Sequence, residues 1–216
     1  MITFIKIAQT DNSGGSLSVA FSAGGNTAGN CILAIALWDG TPFIPSVTDT
    51  RLNQYKPVGT TFTASNLGGQ CAIFLANGIK GGPNTVQLVT GGASFPVLHA
   101  AEYSGVISAH DRTNKDGNSA SPGTVSMTST NSLDLLVAAL YPLSADGTGP
   151  AAGCTQRGVI TTTQKSVYVD RPGDPAGSPF AVGATFTSAT ENYMVAGVIL
   201  SAGSPLIRAR LLPLGL

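Results

Sequence analysis

The stretch Gly29-Asn30-Cys31-Ile32-Leu33-Ala34-Ile35-Ala36-Leu37-Trp38 decides the fold. It is an uncharged apolar run, closed by Asp39-Gly40. A half-buried strand alternates apolar with polar residues, whereas a run apolar at every position reads as a strand covered on both faces. Successive side chains point to opposite faces. Cys31, Leu33, Ile35 and Leu37 therefore share one face, and Ile32, Ala34, Ala36 and Trp38 the other. The run is far short of the roughly 20 apolar residues of a membrane-spanning helix. A short buried helix ranks second, because the neighbouring segments read as β and turn signals lie close by.

Outward from this strand, the chain keeps a period of two. Leu17, Val19 and Phe21 alternate with Ser16, Ser18 and Ala20, and Phe180, Val182, Ala184 and Phe186 alternate in the same way. Segments 2–9, 47–49, 54–56, 70–76, 85–89, 96–103 and 124–127 read as further strands, with 159–163 and 165–170 as a hairpin and 193–200 as a last buried strand. Gly, Pro and Asn clusters punctuate them, among them Asn77-Gly78, Gly81-Gly82-Pro83-Asn84 and the segment 144–150. No segment holds a 3.6-residue apolar period. About a dozen short strands with close turns predict an all-β, antiparallel two-sheet sandwich, jelly-roll-like and almost without helix.

A second long apolar run, Leu133-Asp134-Leu135-Leu136-Val137-Ala138-Ala139-Leu140-Tyr141, echoes the first. The expected organisation is one sandwich domain over 1–203, with two Ig-like halves, 1–107 and 123–203, as the alternative. The polar segment 108–122, with Asp111, Arg112, Lys115 and Asp116, reads as an exposed loop between them. Residues 204–216 form an apolar arm: Leu206, Ile207, Leu211, Leu212, Leu214 and Leu216, with Arg208 and Arg210 between them. The arm is expected to dock on a neighbouring subunit, with its own sandwich close behind. Pro205 and Pro213 disfavour one continuous helix across it.

Of 216 residues, 43% are hydrophobic and only 10% charged, and Lys plus Arg equals Asp plus Glu. An ordinary domain carries about 25% charged residues. A balanced charge argues against a nucleic-acid partner, which a basic excess or stripe would mark. Proteins near zero net charge tend to associate. Cys31, Cys71 and Cys154 are too few and too widely spaced for a disulfide framework or a zinc site and read as free thiols. The N-terminus lacks a basic region, a long apolar core and a cleavage site. The expectation is a protein made in the cytosol that stays there or leaves by lysis, or one that has lost its leader.

Four motifs occur in order: Thr27-Ala28-Gly29-Asn30 before the apolar strand; Val47-Thr48-Asp49 with Asn53 and Tyr55; Ala76 with 79–86; and Glu102-Tyr103-Ser104-Gly105. In this the chain, over residues 16–200, is similar to a β-sandwich domain repeated in bacterial secreted and surface proteins and present in phage virion proteins, a family of unknown function. The resemblance implies a sandwich fold and no catalytic residues. One departure is Leu52, where the family pattern has Gly before the Asn.

The residues themselves offer little chemistry. His99 alternates with Val97 and Ala101 and reads as a hydrogen-bonded sheet residue, and His110 sits beside Asp111. Neither has metal-ligand spacing, and there is no nucleophile elbow. Most acidic residues stand beside Gly, Pro or Asn, where Asp builds turns. Glu102 and Asp134 are exceptions within strands. Asp49 with Asn53, or Asp170 with Asp174, supplies oxygens that calcium would accept, though turn-building is the preferred reading. Trp38, Tyr55 and Tyr168, with Tyr141, are the aromatics considered for stacking on a glycan, although Trp38 also ends a buried strand. The expectation is a non-enzymatic structural protein without cofactor or metal, in a virion or extracellular assembly. A capsid-decoration or tail component, contacting copies of itself or other subunits, comes first. A carbohydrate-binding or adhesive module of a secreted bacterial protein, holding a cell-surface glycan, is the alternative.

Overall fold

The computed structural model describes residues 1–22, 24–40, 45–65, 68–119, 122–144, 146–173, 175–188 and 191–202. The arm 204–216 and Asp174 lie outside the described residues. The protein is an all-β sandwich structure. Its strands are β1 (Thr3–Asp11), β2 (Leu17–Ala20), β3 (Cys31–Asp39), β4 (Ser46–Asp49), β5 (Lys56–Pro57), β6 (Phe62–Thr63), β7 (Gly69–Asn77), β8 (Thr85–Val89) and β9 (Ser94–Ser104), then β10 (Val106–Ser119), β11 (Gly123–Thr128), β12 (Leu135–Pro142), β13 (Gly147–Pro150), β14 (Thr155–Ile160), β15 (Ser166–Pro172), β16 (Pro179–Phe186) and β17 (Glu191–Ala202). Among the described residues there is no helix.

The expected pair of sheets occurs twice. The first inner sheet has the order β1-β9-β3-β7-β5, with β6 also on β7, and the first outer sheet β2-β8-β4. The second inner sheet runs β10-β17-β12-β15-β14, and the second outer sheet β11-β16-β13. One order therefore repeats, with β3 matched by β12, β9 by β17, β7 by β15 and β8 by β16. Each half has the strand order of a jelly roll, and among the described residues all pairings are antiparallel. Between them stands one residue, Gly105, at φ +78°, where an added Cβ would meet the Met1 carbonyl oxygen at 2.4 Å. A connection this short shows no linker signal in the sequence.

The layers run outer, inner, inner, outer, with a core in each gap. Cys31, Leu33, Ile35 and Leu37 of β3 meet Leu135, Val137, Ala139 and Tyr141 of β12 in the core between the inner sheets. Ile32, Ala34, Ala36 and Trp38 point the other way, into the first sandwich with Leu17, Val86 and Leu88. Leu136, Ala138 and Leu140 enter the second sandwich with Val125, Val182 and Phe186. A sheet in a two-layer sandwich hides one face; these central strands hide both, which is why their sequences lack alternation.

Two segments depart from the sequence reading. The polar stretch 108–122 is mostly strand: β10 pairs with β17 along its length, from Val106↔Ala202 to Ser119↔Glu191. As an edge strand β10 leaves one side of its backbone unpaired, and charged residues such as Lys115 suit such an edge while masking the strand signal. The stretch 144–150 contains β13, which pairs Gly149 with Thr185 and Pro150 with Ala184. Its Gly and Pro residues read as a turn, yet Pro is tolerated on an edge strand.

Placing a charge in the central core tests the layering. Leu33→Asp buries an unpaired carboxylate at a fully buried position, a cost of several kcal/mol against a total stability of about 5–15 kcal/mol. Thermal denaturation of Leu33→Asp should show no cooperative transition, whereas Ile5→Asp, at an exposed site on β1, should melt within a few degrees of the parent. A parent-like melt for Leu33→Asp would remove β3 from the core.

Candidate functional site

The motif residues gather into two hydrogen-bonded knots in the first half. Asp49 ends β4, and its Oδ1 accepts the backbone N–H of Arg51 at 3.1 Å and of Asn53 at 3.0 Å. Its Oδ2 accepts Asn53 Nδ2 at 2.8 Å, Asn84 Nδ2 at 2.9 Å and the Tyr55 hydroxyl at 3.0 Å. Burial alone would raise this carboxyl, but the bonds from Asn53, Asn84 and Tyr55 outweigh it and hold Asp49 below the usual carboxylate range. Five donors saturate a carboxylate with about four lone-pair sites. Asp49 and Asn53 thus serve as the fastening of a turn, and the oxygens considered for calcium are occupied. Leu52, inside this turn, has φ +56°, the left-handed conformation that Gly adopts without a steric cost.

The second knot centres on Glu102 of β9, which is fully buried. It accepts Asn26 Nδ2 at 2.8 Å, the Thr27 N–H at 2.9 Å and Asn30 Nδ2 at 2.6 Å, with Lys6 Nζ at 3.9 Å. Glu102 ties the loop entering β3. Asp134, the other acid noted, stands just ahead of β12 in the second inner sheet, so the two form no pair on one strand.

Polar groups also cross the core between the inner sheets. His99 Nε2 lies 2.7 Å from Ser166 Oγ, which donates to the Leu140 carbonyl at 2.9 Å. A carbonyl can only accept, so the serine proton is committed there and His99 Nε2–H is the donor. That polarity is opposite to a histidine activating a serine nucleophile. Burial pushes the imidazole down to about 3. Nearby, the Tyr103 hydroxyl reaches Tyr168 OH at 3.3 Å and Asp170 Oδ2 at 3.4 Å, and Arg157 Nε donates to Asp170 Oδ2 at 2.8 Å. Burial raises the Asp170 carboxyl, and Arg157 partly offsets this. His110, on β10, bonds Ser201 Oγ.

Of the aromatics considered for glycan stacking, Trp38 and Tyr168 are corrected to core residues. Both are fully buried and show no ring face to solvent. Tyr141 is buried too and its hydroxyl lies 2.9 Å from Gln164 Oε1. Tyr55 is half-buried and lines a cleft of about 480 Å³ at the open edge of the first sandwich, with Pro45, Pro57, Thr60, Thr61 and Phe74. The Asp49 knot sets the Tyr55 ring in its wall. The cleft's described lining holds no charged residue and includes the hydroxyl-bearing Ser46, Thr60 and Thr61. The sequence marked Tyr55 but gave no sign of Thr60, Thr61 or Phe74, which come from separate strands and loops. Cys31, Cys71 and Cys154 are free thiols, as expected. Among the described residues no group of three or more His, Cys, Asp or Glu could hold a metal ion, and no helix is long and apolar enough to cross a membrane. Comparison with family models, curated proteins and solved structures returned no match.

Two measurements follow from this geometry. Leu52→Gly should raise the unfolding free energy by up to about 1 kcal/mol, the left-handed strain being partly offset by a more flexible unfolded chain; a loss of stability would show that the turn needs leucine. His99 binds its proton more weakly when folded, so the unfolded state takes up more protons between pH 6.5 and about 3. Its contribution is present in full above pH 6.5 and is lost as the pH falls, by at most about 1.4 kcal/mol per unit. Urea midpoints measured against pH should fall less steeply for His99→Gln than for the parent, and parallel curves would contradict the assignment.

Proposed function

We propose that the chain is a non-enzymatic structural subunit of an extracellular assembly, in the first place a surface component of a phage particle. The observation that carries this reading is the chemistry of the two outer sheets. Across β2, β4, β8, β11, β13 and β16 the sole ionisable residue is Asp49, already enclosed by its knot. The exposed positions carry Ser18, Ser46, Thr48, Gln87, Ser126 and Thr128 alongside the apolar Ala20, Val89, Pro150, Pro179 and Ala181. Hydroxyls and amides desolvate at far lower cost than charges. Two broad faces of this kind favour packing against a neighbour, in keeping with zero net charge. The hydrogen bonding of Asp49, Glu102 and His99 within the architecture adds support. The particle itself rests on the family resemblance alone.

The Tyr55 cleft favours a second reading, a carbohydrate-binding module. Light scattering on chromatographed protein separates the two. A structural subunit should form a defined oligomer that Thr48→Lys or Ser126→Lys disrupts at unchanged melting temperature. A monomer at every concentration, together with glycan binding abolished by Tyr55→Ala, would overturn the first reading in favour of the second.

A further inference from the structure

A β-bulge on β1 turns a lysine toward a buried acid. Phe4 pairs with Tyr103 and Lys6 with Glu102, so Ile5 is the extra residue. Phe4 and Ile7 both pack on the core between the inner sheets, an odd spacing that a regular strand cannot give. The bulge re-aims Lys6 to the other face, which Glu102 shares with Leu98 and Ala100 on the neighbouring strand. Lys6 is 24% exposed there and Glu102 0%. Lys6 Nζ lies 3.9 Å from Glu102 Oε2 and donates to the Gly25 carbonyl, next to Asn26. Asn26 Nδ2 donates to the same Oε2 at 2.8 Å. Asn26 is 4% exposed, and its Oδ1 is buried with no hydrogen-bond partner among the described residues. Its backbone is pinned: the N–H donates to the Gly82 carbonyl at 2.9 Å, and the carbonyl accepts the Gly82 N–H at 2.8 Å.

An amine, a carboxylate and a carboxamide held together out of water are the parts of an amide exchange. We propose that Lys6 and Asn26 join in an isopeptide bond whose formation Glu102 promotes. Glu102 Oε2 takes a proton from the Lys6 ammonium, and the lone pair freed on Nζ attacks Asn26 Cγ. Glu102 passes the proton to Nδ2, the Cγ–Nδ2 bond breaks, and the new Nζ–Cγ bond remains. Ammonia carries off the surplus proton of the amine as ammonium, Glu102 returns to carboxylate, and nothing is oxidised or reduced. Fixed positions convert the encounter of amine and amide into a step within one molecule. The carboxylate between the attacking and leaving nitrogens serves as base and then acid. Burial keeps out the water that would otherwise hydrolyse the amide. Asn30 is not the partner, because its Nδ2 bonds the other oxygen, Oε1, at 2.6 Å. The bond closes a ring from Lys6 to Asn26 and ties β1 to the loop entering β3. The inference is independent of the assembly role, since every group belongs to one chain.

Intact-mass measurement and peptide mapping of the full chain test it. The folded protein should weigh one ammonia less than its sequence. Trypsin should leave the Lys6–Ile7 bond uncut. Cleavage at Asp11, between the two linked residues, should leave residues 1–11 attached to the fragment that holds Asn26. Lys6→Arg, Asn26→Ala and Glu102→Gln should each show the full sequence mass, and Lys6→Arg should keep a cooperative melt. A folded parent of full sequence mass would overturn the proposal. So would fragments linked through Asn30, or a mass loss that survives in Lys6→Arg, which would place a succinimide at a site such as Asn77-Gly78. A link formed in folded Glu102→Gln would overturn the part given to Glu102. If that variant fails to fold, the parent and Lys6→Arg still decide.

Discussion

The contact of the two inner sheets, face to face, governs the rest of the structure. Leu33, Ile35 and Leu37 on one side and Val137, Ala139 and Tyr141 on the other are all fully buried there. Each large aliphatic side chain so buried contributes about 1.5–3 kcal/mol relative to exposure. Because this face is hidden, an inner sheet cannot stop at two layers: its reverse face is apolar as well and must be covered by an outer sheet. The layer order, the absence of polar alternation in β3 and β12, and the single-residue connection at Gly105 all follow from that one constraint.

A core made only of aliphatic groups would tolerate sliding of one sheet over the other. The polar groups between the inner sheets remove that freedom. His99 with Ser166, and Tyr103 with Tyr168, Asp170 and Arg157, find partners only in one alignment. Any shift leaves buried donors and acceptors unpaired, at about 1–3 kcal/mol each and more for the charged pair. Arg157 also lies over the Phe4 ring, 4.6 Å from its centroid, so β1 is held by the same alignment. The knots at Asp49 and Glu102 do for loops what this network does for sheets.

Much of the fold was legible in the sequence. The apolar runs of β3 and β12 announced burial on both faces, and the alternation within β3 sorted its side chains into two cores correctly. Edge strands were harder. β10 carries charges and β13 Gly and Pro, residues that an edge strand tolerates and that also describe a loop. The doubling of the sandwich left only a faint echo, since packing constrains residue class and volume more than identity. For the candidate site, Tyr55 was visible as an aromatic near a turn. Its burial state was not, because exposure is set by Phe74, Thr60 and Thr61, which are distant in sequence. Trp38 and Tyr168 illustrate the converse: an aromatic at a strand end looks available until the layer above it is known.

The shared central core implies that the halves unfold together. Native-state hydrogen exchange on the full chain tests this most directly, because it reports an opening free energy for each amide. The slowest amides of β3, β7 and β9 and those of β12, β15 and β17 should share one free energy, equal to that of global unfolding. Two separate values, one for each half, would contradict the account and make the inner-sheet contact a mere docking of independent sandwiches.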